Sequence, residues 1–151
     1  MKLVPLLSYH ATLGEAHDIG AVPTGHRFIV EVTGGAFEGE KLKGTISSGG
    51  GADWLHMTDD FGHLDVRATF ITDDGAKIYV EYFGKLELTE NVQAALAGNG
   101  ECDYGEQYFV TSPRMQTGDE RYKWLNNIIC VAQGRLKSGQ VEYNVFQVTN
   151  D

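Results

Sequence analysis

From His63 to Ile71 the chain alternates: His63, Asp65, Arg67 and Thr69 at odd positions, Leu64, Val66, Ala68 and Phe70 at even ones. Successive side chains of a strand point to opposite faces, so a period of two predicts a half-buried strand with one polar and one apolar face. The next segment repeats the pattern, with Lys77, Tyr79, Glu81 and Phe83 on one face and Ile78, Val80 and Tyr82 on the other. Between them "TDDG", residues 72–75, has the composition of a hairpin turn. That hairpin would set Tyr79 or Glu81 near Asp65 and Arg67. Whether the polar face points into the protein or out to water is left open by the pattern.

Comparable runs rich in Val, Ile, Thr, Tyr and Phe predict strands over Leu3–Leu13, His26–Thr33, Glu40–Ser47, Leu64–Thr72, Lys77–Leu88, Gln107–Pro113, Asn127–Leu136 and Val141–Val148. Turns are expected at "TGG", "SSGGG", "TDDG" and "KSGQ". About eight strands in series, mostly joined by tight links, predict an all-β fold: a single antiparallel up-and-down barrel, whose closure removes exposed edges. A barrel of that size can hold one small ligand. One short helix is predicted in "TGDERYKWLNN", where Thr117 and Glu120 have the spacing of a capping box. The "ENVQAALAG" of the long connection after Leu88 could add a helical turn. No domain boundary or low-complexity tract interrupts residues 1–151, which read as one domain.

Composition narrows the partners. At 151 residues folding buries roughly 70% of the unfolded chain's surface, enough for a core without staples. The formal charge of −9 opposes phosphate backbones and anionic membrane faces, so neither nucleic acid nor a membrane is an expected partner. Cys102 and Cys130 lack the close spacing of a zinc site and read as reduced thiols. The apolar start is broken by "SYH", and no run approaches the roughly 20 apolar residues of a spanning helix. The chain reads as soluble and cytoplasmic.

Most catalytic signatures are missing. The five histidines show no recognised ligand spacing, Ser47 and Ser48 lie in no nucleophile elbow, and "GGG" lacks the Lys-Ser/Thr of a phosphate loop. No metal site and no cofactor are expected. What stands out is "GGGADW", in which three glycines lead into Asp53 and Trp54. The glycines could simply reverse the chain, or they could form the wall of a pocket.

Four blocks, "GHRFIVEVTGGAFEGEKLKGTISSGGGADW", "LDVRATFITDDGAKIYVEYFG", "YFVTSPRMQTGDERYKWLN" and "VEYNVFQV", resemble in order those of a bacterial and fungal family known as domain of unknown function 3237. The likeness runs from about Gly25 to Val148. It implies a compact, lipocalin-like antiparallel barrel and leaves the activity undefined. The family elements fall here on Gly25 and Arg27; Gly34, Gly35 and Gly39; Gly50, Asp53 and Trp54; Asp65 and Arg67; Asp73, Asp74 and Gly75; Pro113 and Arg114; and Trp124, Leu125 and Asn126. One departure is Val110, where the family commonly has an arginine after the Tyr-Phe pair, which weakens any anion site built on that position.

Charges are rarely buried unless paired, and a pocket holding acids and arginines shifts their pKa values. The candidate catalytic residues are therefore Asp53 and Asp65 as proton carriers and Arg67 as an oxyanion partner. Trp54, Tyr79, Arg27, Arg114, Trp124 and Asn126 are the candidate substrate-binding residues. Each also has a purely structural reading. Asp53 can cap a turn, the tryptophans can be core, Arg114 can pin a connection, and Asp65 with Arg67 can be a surface pair. The leading expectation is a small-molecule-binding barrel acting as a cofactor-independent isomerase, lyase or cyclase on a small aromatic or carbonyl-bearing substrate. The alternatives are a non-catalytic carrier and a structural or assembly protein. Apolar positions on both strand faces are compatible with a homo-oligomer.

Overall fold

The computed structural model describes all residues, Met1–Asp151. Nine strands form one sheet: β1 (Lys2–Val22), β2 (Gly25–Glu38), β3 (Lys43–Ile46), β4 (Gly51–Met57), β5 (Phe61–Thr72), β6 (Lys77–Glu87), β7 (Phe109–Gln116), β8 (Ile129–Lys137) and β9 (Gln140–Thr149). Every pairing is antiparallel. The sheet closes on itself because β1 pairs with β9 along Lys2–Thr12 and with β2 along Ser8–Val22. The expected up-and-down barrel is thus what forms, with strands neighbouring in sequence also neighbouring in space.

Two of the four expected turns are turns: Lys137 pairs with Gln140 across Ser138 and Gly139, and β5 turns into β6 at "TDDG". The other two are not. Both β3 and β4 lie between β2 and β5 and run in the same direction, so "SSGGG" does not reverse the chain. It is an outward excursion that splits one barrel strand into two and keeps the number of barrel positions at eight. "TGG" lies opposite it, inside β2. There Gly35 has φ +140°, and a Cβ would stand 2.0 Å from the carbonyl oxygen of His10 on β1. A sheet must coil to close, and a glycine allows this crowded approach of two backbones where any side chain would block it.

The apolar faces point inward. Leu64, Val66, Ala68 and Phe70 of β5 and Ile78, Val80, Tyr82 and Leu86 of β6 all belong to the buried core. The polar faces point out, which answers the question the alternation left open. Gly134 of β8 leaves room for the Phe109 ring, whose edge lies 2.8 Å from where a Cβ would stand.

Two helical segments serve the two ends: the short helix expected near Thr117 and the further helical turn that "ENVQAALAG" allowed. α1 (Glu90–Leu96) is capped by Thr89, whose side chain accepts a hydrogen bond from the Val92 N–H, and it buries Val92 and Ala95. The segment Glu120–Asn127 is a 3₁₀ helix, and its cap is Asp119, accepting from Arg121, rather than Thr117. Thr117 instead donates its hydroxyl to the carbonyl of Lys77 and accepts from the Asp119 N–H, tying the approach to the helix onto β6. β7 and β8 pair only at Val110–Thr111, and the 3₁₀ helix that joins them packs Leu125 into the core.

Candidate functional site

A cavity of about 480 Å³ opens at the end of the barrel that carries α1 and the β1–β2, β4–β5 and β8–β9 turns. Leu96, Ala97 and Gly98 at the end of α1 edge it on one side; Lys137 and Gln140 edge it on another. Its wall is mostly apolar, with Phe28, Val30, Leu55, Val66, Phe109 and Val141 among the residues facing in. Three polar groups share that lining deeper in the barrel: Asp53, Tyr82 and Tyr143.

Asp53 arrives there because β4 alternates, sending Asp53, Leu55 and Met57 inward to the cavity while Trp54 points out. Its carboxyl Oδ1 accepts a hydrogen bond of 3.0 Å from the main-chain N–H of Asp65, and no other protein group bonds it. That donor is free because the ladder between β4 and β5 is interrupted. Pairing runs through Ala52↔Arg67 and Asp53↔Val66, then resumes only at His56↔His63. In the gap the carbonyl of Trp54 accepts a 2.7 Å hydrogen bond from the Arg27 guanidinium.

Burial is the main influence on the Asp53 carboxyl, pushing its pKa up. The Asp65 N–H pulls it back, the Asp65 charge raises it, and the Arg27 charge lowers it; the balance is about 7. Such a group exists in both protonation states near neutrality. Burial also raises the tyrosine hydroxyls: Tyr82 and Tyr143 lie far above the ordinary phenol value. They remain protonated donors at neutral pH. The Tyr9 ring packs against both, at centroid distances of 6.2 and 4.8 Å, and its buried hydroxyl has no hydrogen-bond partner.

Asp53 alone among the nine sequence candidates lines this cavity. Asp65 and Arg67 do not join it: they form an ion pair of 3.5 Å on the outer face, and Arg67 stacks over Trp54 at 5.1 Å. Such half-exposed pairs contribute little to stability. Tyr79 is also outside, donating its hydroxyl to Glu81 at 2.8 Å, and Arg114 is exposed with Glu81 3.6 Å away. Trp124 and Asn126 sit on the 3₁₀ helix at the opposite end of the barrel. Trp124 packs partly against the core beneath Lys41, and Asn126 clamps the main chain of Thr117 through both of its amide atoms. Tyr79 and Asn126 do share a shallow surface depression of about 390 Å³. The expected convergence of Asp53, Asp65, Arg67 and Arg114 on one concave site does not occur, because strand alternation puts neighbours in sequence on opposite sides of the wall.

Tyr82 and Tyr143 were missed as site residues. Their signal was present: each is a hydroxyl-bearing side chain on the apolar face of its strand, where a donor must find a partner or a ligand.

Fold and site together define a closed antiparallel β-barrel with a deep apolar cavity that holds one carboxyl group. The chain belongs to the family described as protein of unknown function (DUF3237), whose pattern matches residues 1–148. A UPF0311 protein of Rhodopseudomonas palustris is 32% identical over 143 residues, covering 91% of this chain and 90% of its own. The crystal structure of a β-barrel-like protein from Acinetobacter baumannii superimposes with a TM-score of 0.82 at 28% identity, covering 98% of this chain and 96% of that one. An enzyme from Penicillium herquei has the same fold, with a TM-score of 0.66 at 20% identity over 96% of this chain and 93% of that one.

Proposed function

We propose that the barrel binds a small, mainly apolar molecule carrying a carbonyl group, and that Asp53 moves a proton on it without a cofactor. The carrying observation is a single carboxyl, poised near neutral pH, facing into the same apolar cavity as two neutral tyrosine hydroxyls. In this reading the Asp53 carboxylate removes a proton from the carbon next to the carbonyl. The electron pair of that C–H bond moves onto the carbonyl oxygen, giving an enolate, and a hydroxyl of Tyr82 or Tyr143 donates a hydrogen bond to it. Return of the proton to a different carbon completes an isomerisation; loss of a leaving group from the neighbouring carbon completes an elimination, and attack on a second carbonyl of the same molecule completes a cyclisation. Positioned proton transfer of this kind contributes about 10²–10⁴-fold. A pKa near 7 suits it, since the base form and its proton-accepting strength are then balanced. The Penicillium herquei neighbour is described as an enzyme; that likeness speaks for the fold, and the chemistry proposed here rests on the cavity.

The test uses 2-tetralone, an apolar ketone with exchangeable protons beside its carbonyl. In deuterated buffer at pH 7 the protein is expected to accelerate exchange of those protons, followed by NMR. Asp53→Asn is expected to lower that acceleration at least about 100-fold while leaving the ketone's Kd within a few-fold. Saturable binding with exchange only at the buffer rate would make the barrel a carrier. Absence of binding would remove the reading altogether.

A further inference from the structure

The interruption between β4 and β5 lies beside the one carboxyl of the cavity. The register on either side of the gap sets Trp54 opposite Asp65, so in a continuous ladder the Asp65 N–H and the Trp54 carbonyl would be each other's partners. Here each is taken by a side chain. The carbonyl goes to Arg27, which reaches it from β2, and the N–H goes to Asp53 on the cavity side. A backbone N–H released inside a barrel wall is a costly orphan unless something accepts it. The two side-chain bonds are therefore coupled: Arg27 satisfies the acceptor that the N–H gave up, and Asp53 satisfies the donor.

We infer that Arg27 is a positioning residue for Asp53, acting through the barrel wall: by holding the Trp54 carbonyl it keeps the Asp65 N–H turned to the carboxylate. This rests on the reading of Asp53 as the proton carrier, and it specifies how its ionisation is set. Arg27 does not line the cavity. Without its guanidinium the Trp54 carbonyl would have no partner but the Asp65 N–H, and closing the ladder would strip the carboxylate of its only hydrogen bond. The charges around Asp53 would act in the same direction, because Arg27 is the cation beside it. Its other ionisable neighbours are Asp65 across the wall on β5 and, inside, Tyr82 from β6 and Tyr143 from β9, all anionic when ionised, while Lys137 stands at the cavity edge.

The experiment is an NMR titration of the ligand-free protein, reading the Asp53 carboxyl carbon and the Asp65 amide together. In the natural chain the Asp65 amide is expected to move with the same midpoint as the Asp53 carboxyl, since it donates to it. In Arg27→Met the Asp53 midpoint is expected to rise by about one pH unit or more, and the Asp65 amide to stop following it. Arg27→Lys, which keeps a charge and one donor, is expected to fall between the two. An Asp53 midpoint unchanged in both variants, with only a lowered Tm, would mean that Arg27 merely braces the strand and would overturn the inference. If Arg27→Met fails to fold, an Asp65 amide insensitive to the Asp53 titration in the natural chain overturns it equally. None of these readings depends on turnover, so a failed ketone exchange would count against the proposed function and not against the coupling.

Discussion

At the scale of single residues, burial in the cavity wall opposes the ionisation of Asp53. Its folded pKa of about 7 lies above the value of about 3.9 expected for an unfolded chain. The folded state therefore holds the proton more tightly. Below about pH 4 both states are protonated and Asp53 has no effect; between pH 4 and 7 only the unfolded chain ionises, so stability falls as pH rises. Above pH 7 the loss is complete, with an upper figure of about 4 kcal/mol. Asp53→Asn should flatten this part of the profile, making the variant more stable than the natural chain at pH 8 and no more stable at pH 4. Urea denaturation at a series of pH values checks it, and a natural chain whose Asp53-dependent stability rises from pH 5 to 8 would show the carboxyl to be better solvated than its place in the cavity implies.

At the scale of elements, the two ends of the barrel are built differently. The end with the 3₁₀ helix is plugged. Leu125 is 1% exposed, and Tyr122 fixes the helix to the β5–β6 turn by donating its hydroxyl to Asp74 at 2.7 Å. Leu125→Ala should cost about 2–5 kcal/mol, as large-to-small changes in a packed core do, and should leave the Kd for a cavity ligand nearly unchanged because it lies at the far end. Thermal unfolding and ligand titration of the same variant separate the two effects. The cavity end stays open, edged on one side by the end of α1 and the start of the connection after it. That connection is strapped to β8: Arg135 bonds Asp103 at 3.0 Å and Glu142 at 2.7 Å, its guanidinium lies 4.5 Å from the Tyr104 ring centroid, and Cys102 bridges Leu136.

Much at this scale was legible in the chain. The alternation from His63 to Phe83 located β5 and β6 and both of their faces, because period-two patterning follows directly from backbone geometry. The "SSGGG" excursion was not legible as such. Glycine permits a turn, a bulge or a close approach equally well, and only the partner strand decides among them. The 3₁₀ cap fell on Asp119 for a similar reason: Thr117 had a competing partner, the carbonyl of Lys77, that lies 40 residues away in the chain.

At the scale of the whole molecule, closure depends on pairing the first strand with the last. Lys2–Thr12 pair with Gln140–Thr149, and Leu6 and Leu7 of that segment are buried. Removing residues 1–7 would take away the partner of Val145–Thr149 of β9, leave only Ser8–Thr12 to close the barrel, and expose an unpaired edge and part of the inner face to water. The truncated chain is expected to lose cooperative unfolding, seen as a broadened urea transition and poorly dispersed amide resonances. A sharp transition with an unchanged midpoint would mean that the remaining strands close without it. No helix is long and apolar enough to cross a membrane.

The sequence by itself determined the class of architecture, the division of each strand into a polar and an apolar face, the family and the presence of Asp53 among the groups worth watching. These follow from local rules: side-chain alternation, turn chemistry and motif order. Tertiary structure decided which candidates meet. Asp53 and Trp54 are neighbours in the chain, yet the wall of the barrel passes between their side chains, leaving one in a cavity with Tyr82 and Tyr143 and the other outside against Arg67. Asp65 meets Asp53 through its backbone and not through its carboxylate. Such arrangements depend on strand register and on where a ladder is interrupted, and both are fixed only when distant segments pair.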